Sequence, residues 1–108
     1  MKINDFLQKN KHYTKGGSLK TRPWIVCNSG LIMSVQASHS HYCNPRQDDV
    51  DKYISVEIGF PNMVVDELLP YAECEDEPTE TVYGWVPVEL VDEIIEKNGG
   101  MDIEKIFG

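Results

Sequence analysis

Apolar and polar side chains alternate along Gly30–Cys43. In an extended chain Leu31, Met33, Val35 and Ala37 share one face, and Ser34, Gln36, Ser38 and Ser40 the other. The pattern predicts a strand whose core face runs on into His39, His41 and Cys43. Just upstream, Trp24–Cys27 are strong strand formers and Asn28-Ser29-Gly30 supplies turn chemistry, so the two runs predict a β-hairpin. Asn44-Pro45 ends the second strand, because proline has no amide donor for a ladder. A third strand is predicted over Lys52–Phe60, with Ile54, Val56, Ile58 and Phe60 on a buried face and Tyr53, Ser55, Glu57 and Gly59 on a wet one. Thr81–Val86 is predicted as a fourth.

Helical spacing occurs elsewhere. Ile3, Phe6 and Leu7 give residues 2–10 one apolar stripe, with Asn4 or Asp5 available to the free amides of the first turn. A helix that narrow holds only if it docks. Met63–Leu69 is predicted as a short helix capped by Asn62 and ended by Pro70. Pro87 suits the first turn of a helix reaching about Asn98, with Val88, Val91, Ile94 and Ile95 on its apolar face and Glu89, Asp92, Glu93 and Glu96 opposite. Gly99-Gly100 closes it, and Ile103, Ile106 and Phe107 can add a final turn. Together these elements predict a single α+β domain over residues 1–108. Its mainly antiparallel sheet of about four strands is covered on one face by the C-terminal amphipathic helix, with the short N-terminal helix at its edge.

Composition narrows this picture. A chain of 108 residues, 41% hydrophobic and 26% charged, can bury a core and is not disordered. No apolar run approaches the roughly 18–20 residues of a membrane span, and the opening residues lack the apolar segment of a signal peptide, so a cytoplasmic protein is expected. Three cysteines, Cys27, Cys43 and Cys74, without CxxC spacing point to reduced thiols.

The net charge of −8 hides an asymmetry. Residues 1–46 carry seven basic side chains against one acid, and residues 47–108 carry seventeen acids against three bases. Such polarity either solvates the surface or offers a charged face to a partner. The basic share is concentrated in residues 11–22, where Gly16-Gly17 and Lys11, Lys15, Lys20 and Arg22 predict a flexible basic loop. The loop lacks the Walker pattern, and a solvated loop is the simpler reading. With Tyr13 and Trp24 as stacking surfaces it is also the basis of an alternative function, direct nucleic-acid binding, which the overall charge opposes.

His39, His41 and Cys43 are the chain's one clustering of chemically capable side chains. Imidazole and thiolate suit zinc, but strand positions two apart lie roughly 6–7 Å from each other, and a fourth ligand would have to come from His12, Cys27, Cys74 or an acid. A Cys43 nucleophile would need a base and an oxyanion site, and no second motif supplies them. The favoured reading gives the three residues a structural role at the sheet's rim, with no catalytic residue, metal or cofactor expected. Cys74 lies among carboxylates that suppress a thiolate.

The segments Met33–Ser38, His41–Arg46, Val56–Pro61, Glu67–Ala72 and Tyr83–Glu93 resemble a family of small phage- and prophage-encoded bacterial proteins, over about residues 23–100. The resemblance carries no catalytic residue. It implies a setting that includes anti-CRISPR proteins and other inhibitors of host defence, some of which imitate DNA with carboxylates. The expectation that follows is a non-enzymatic inhibitor of a nucleic-acid-binding host protein such as a CRISPR effector. It would bind through Glu73, Glu75, Asp76, Glu77 and Glu80 of one loop and Glu89, Asp92, Glu93 and Glu96 of the last long helix. A structural or oligomeric interaction module, whose acids only solvate it, is the rival.

Overall fold

The computed structural model describes residues 1–108. Strands β1 (Ile25–Val26), β2 (Ile32–Gln36), β3 (Ser55–Gly59) and β4 (Val82–Pro87) form one antiparallel sheet in that order, so the predicted hairpin and the α+β class are both present. The register Ile25↔Met33 and Val26↔Ile32 continues formally to Arg22 opposite Gln36. Pro23 has no amide to donate, so the backbone ladder stops at two residues. The Gln36 side chain takes over: its Oε1 accepts from the Arg22 N–H at 3.0 Å and its Nε2 donates to the Arg22 carbonyl at 2.9 Å.

The second strand is shorter than predicted. It ends at Gln36, residues 37–43 leave the sheet as a loop, and Asn44 returns to pair with Ser55, just ahead of a cis Asn44–Pro45 bond. In the register Gln36↔Glu57 an uninterrupted strand would have set Ser38 against Ser55, so Asn44 occupies the place that Ser38 vacates. His39, His41 and Cys43 therefore do not share a strand face. The third strand is likewise five residues and not nine. Val56 and Ile58 are buried as predicted, but Ile54 is 66% exposed and Phe60 48%: both lie just beyond the ends of β3, and Phe60 turns to φ 49°. The face expected to be wet is instead partly covered, with Tyr53, Ser55 and Gly59 all buried.

One core joins the sheet to the helices. Met33, Val35, Val56, Ile58, Tyr83 and Val86 meet Val91, Ile94 and Ile95 of α2 (Val88–Lys97) and Ile3, Phe6 and Leu7 of α1 (Ile3–Lys9). No side chain caps α1. Its first amide, that of Ile3, donates to Asp92 Oδ1 at 2.7 Å, and Asn4 pairs at two points with the Tyr53 backbone, at 2.8 and 3.0 Å. Asn98 closes α2, its Nδ2 donating to the Ile94 carbonyl and its Oδ1 accepting from Ser29 Oγ, both at 2.7 Å. A short α3 (Ile103–Phe107) follows, and Asp102 ahead of it donates its N–H to the Val26 carbonyl, covering the β1 edge.

The predicted helix at 63–69 is a 3-10 segment at Asp66–Tyr71, with Pro70 inside it. Its buried anchors Val65 and Leu68 are three residues apart, the repeat of a 3-10 turn. Asn62 caps nothing there; its amide pairs with the Ile32 N–H and Gly30 carbonyl of the hairpin at 2.8 and 3.0 Å. No helix is long and apolar enough to cross a membrane.

Arg22 departs furthest from the sequence reading. Far from waving in a basic loop, it is 3% exposed, and burial lowers its pKa. Its Nε donates to the Leu7 carbonyl at 3.0 Å and its Nη1 to the Ala37 carbonyl at 2.7 Å, while Nη2 has no partner. One planar fork thus joins α1 to the end of β2. Arg22→Ala should cost about 3 kcal/mol in chemical denaturation, since it strands two buried carbonyls and leaves a cavity. Arg22→Lys should recover less than half of that, because an ammonium on a single stem does not span both oxygens.

Candidate functional site

The cluster that looked reactive in the sequence is dispersed by the 37–43 loop. His39 is exposed and meets Asp48, whose Oδ1 accepts from the His39 backbone N–H at 2.8 Å and lies 2.9 Å from Nδ1. His41 Nδ1 lies 2.6 Å from Ser38 Oγ, and its pKa is lowered chiefly by burial. Cys43 is buried and its thiol donates to the Ser38 carbonyl at 3.2 Å, with burial raising its pKa. No three His, Cys, Asp or Glu side chains come together in a way that could hold a metal ion. All three residues act as stays of one loop.

The acids fall into two tracts. Glu73, Glu75, Asp76, Glu77 and Glu80 are exposed in the loop before β4, and Glu89, Glu93 and Glu96 are exposed along α2. None of these eight side chains makes a salt bridge or hydrogen bond within the chain. Asp92 differs from the rest, being the carboxylate that receives the first amide of α1. An ion pair at 2.9 Å, Lys97–Glu67, ties the end of α2 to the 3-10 segment that leads into the acidic loop. On the basic side, Arg22 is consumed by the core and Lys11 by the Val50 carbonyl and Asp49, so the 11–22 loop keeps only Lys15 and Lys20 of its four cations free.

Beside the loop acids lies a feature the sequence reading missed. Ile58 pairs with Tyr83 and Val56 with Val86, so Gly84 and Trp85 together stand opposite Glu57: a β-bulge. The extra residue is Trp85, at φ 51°, a left-handed conformation uncommon for a bulky side chain. Its N–H donates to the Tyr42 carbonyl at 2.9 Å, and the Tyr42 N–H donates to Glu57 Oε1 at 3.1 Å, which lays the 37–43 loop over the bulge. The two rings stack with centroids 5.0 Å apart and planes 25° apart, and the Arg46 guanidinium lies 5.6 Å from the Tyr42 centroid. Gly84 makes room: a Cβ there would come within 3.2 Å of Tyr42 Cβ.

These residues border a groove of about 380 Å³ whose walls are Tyr42, Tyr71 and Trp85, with Ala72, Val82 and Gly84 between and Glu73 among the lining groups. Trp85 is 53% exposed and Tyr42 37%, so the aromatic surface is available. A second hollow of about 500 Å³ lies where Met1 and Lys2 approach Asp92, Glu96 and the glycines after α2, and it contains no aromatic ring. The signal for the bulge was in the sequence: a glycine inside a strand pattern, Tyr83-Gly84-Trp85, marks a bulge or a close backbone approach. No family model matches the chain, and neither a curated protein nor a solved structure matches it.

Two outcomes check this geometry. Trp85→Gly should be more stable than Trp85→Val by about 1–2 kcal/mol in urea denaturation, since glycine accepts a positive φ that a β-branched residue resists. Asp48 titrates below the ordinary carboxylate value because it accepts first the His39 backbone N–H and then the imidazole. A lowered folded pKa gives stability that is complete above the unfolded value and lost as pH falls through the folded one. Asp48→Asn should therefore cost stability at neutral pH and flatten its decline below about pH 4, as read from thermal melts across an acid series.

Proposed function

We propose that the chain works by binding and not by catalysis, presenting acidic surface to the cationic groove of a nucleic-acid-binding protein. The observation that supports this is the state of the eight carboxylates: all are exposed, and none is spent on an internal partner. A fold that needed them for its own stability would have paired some of them, as it did Asp92 and Glu67. The resemblance to phage-encoded proteins makes a host defence enzyme, such as a CRISPR effector, the partner of choice. Carboxylates in a site that normally holds phosphates would speed encounter by long-range attraction and would be weakened by salt. Direct nucleic-acid binding through residues 11–22 is the weaker reading, given the loss of Arg22 and Lys11 to internal contacts.

The test is a pull-down of nucleic-acid enzymes from the host, followed by titration of the partner captured. Reversing Glu73, Glu75, Asp76, Glu77, Glu80, Glu89, Glu93 and Glu96 to lysine, with Asp92 kept to hold α1, should abolish binding. Raising salt from about 0.05 M to about 0.3 M should weaken the native protein at least about tenfold. Binding that survives both changes would remove the proposal.

A further inference from the structure

We infer that the groove between Tyr42, Tyr71 and Trp85 is a receptor for an arginine side chain, carried on an exposed basic segment of the partner. This deepens the acidic-surface reading and shares one residue with it, Glu73. Three observations converge. The groove has the chemistry of a cation site, with aromatic rings as walls and a carboxylate without internal partners among its lining groups. Tyr42 shows that these rings accept a guanidinium, since Arg46 sits 5.6 Å from its centroid; with Tyr42 stacked on Trp85 as well, the rings left to an incoming side chain are Trp85 and Tyr71. And the fold holds a tryptophan half-exposed at φ 51° on a bulge, stacked on a tyrosine that requires a glycine beneath it. Strained backbone of this kind clusters at ligand clamps and active sites, where the surrounding structure holds it in place.

The surroundings choose between occupants. A nucleobase could stack on the same rings, but the charged group lining the groove is the carboxylate of Glu73, the charged residues of the loop that follows it are all acids, and the one cation nearby, Arg46, is held on the Tyr42 ring. Arginine fits both halves: its plane stacks on an indole or phenol, and its N–H fork meets a carboxylate at two points. Lysine offers charge without the plane.

The experiment is calorimetric titration of the full chain with a short alternating Gly-Arg peptide, at low salt. A Trp24→Phe background makes Trp85 the sole indole, so its fluorescence reports occupancy of the groove. Saturable binding that shifts the Trp85 emission is expected, with a Gly-Lys peptide of equal charge several-fold weaker. Glu73→Gln and Trp85→Gly should each weaken binding about tenfold, whereas Glu93→Gln, which removes the same charge from α2, should change it less than about threefold. Trp85→Gly suits the backbone at that position, and its thermal melt establishes that the variant is folded. Equal effects of Glu73→Gln and Glu93→Gln with Trp85→Gly silent would overturn the groove while leaving the acidic surface standing. Equal affinity for the two peptides would overturn the guanidinium. Tighter binding of oligothymidine than of the Gly-Arg peptide would overturn the cationic occupant. Failure of the acidic-surface reading is recognised separately, by reversing the other seven acids with Glu73 kept, which should abolish capture of the partner only if the wider acidic surface makes contact.

Discussion

The chain passes from its first helix to its sheet through a buried cation. Taking a guanidinium out of water costs several kcal/mol, and with no carboxylate hydrogen-bonded to it most of that cost must be met by dipoles. Arg22 meets it with the carbonyls of Leu7 and Ala37, while its own backbone is held on both sides by the Gln36 amide. Ala37 is the residue at which β2 leaves the sheet, so the fork sets both the docking of α1 and the point where the 37–43 excursion begins.

The excursion in turn makes the candidate site. Because Asn44 returns to the place Ser38 would have taken, seven residues are released above the second face of the sheet. Tyr42 is set down on the bulge of β4 through its own backbone, its carbonyl accepting from the Trp85 N–H and its N–H donating to the Glu57 carboxylate. An extra residue in β4 and extra residues after β2 are thus two halves of one feature. Each alone would be a defect in a four-stranded meander; together they build a half-exposed aromatic wall beside an acidic loop.

Elements governed by local periodicity were legible in advance. The α2 stripe of Val88, Val91, Ile94 and Ile95 and the hairpin around Asn28–Gly30 lie where the pattern placed them. The failures have a common physical form, in which a side chain serves a distant backbone group. Arg22 read as a solvated cation because its partners, Leu7 and Ala37, are fifteen residues away on either side. Asn62 read as a helix cap because its true partners, Ile32 and Gly30, belong to the hairpin. The alternation in Gly30–Cys43 continued beyond the strand because Cys43 is buried for a different reason, as the stay of a loop. The acidic residues could be located but not sorted: only the structure separates Asp92, bound to Ile3, from its eight free neighbours. The aromatic groove joins residues 42, 71 and 85, a juxtaposition that no periodicity encodes.

The fold shields Asn98 from a reaction that its sequence invites. Its amide is both the clasp on the Ile94 carbonyl and the partner of Ser29, and it is followed by Gly99, the neighbour that least hinders attack of the next backbone nitrogen on a side-chain amide. In the folded chain the Gly99 N–H donates to the Glu96 carbonyl at 3.0 Å; where the end of α2 opens, that nitrogen would close a succinimide on the Asn98 side chain with loss of ammonia, and water opening the ring would leave a carboxylate. The donor to Ile94 would vanish, and a negative charge would be set against the negative end of the α2 dipole. Ageing in solution would therefore loosen the junction between the last long helix and the hairpin, without any change in the genetic sequence.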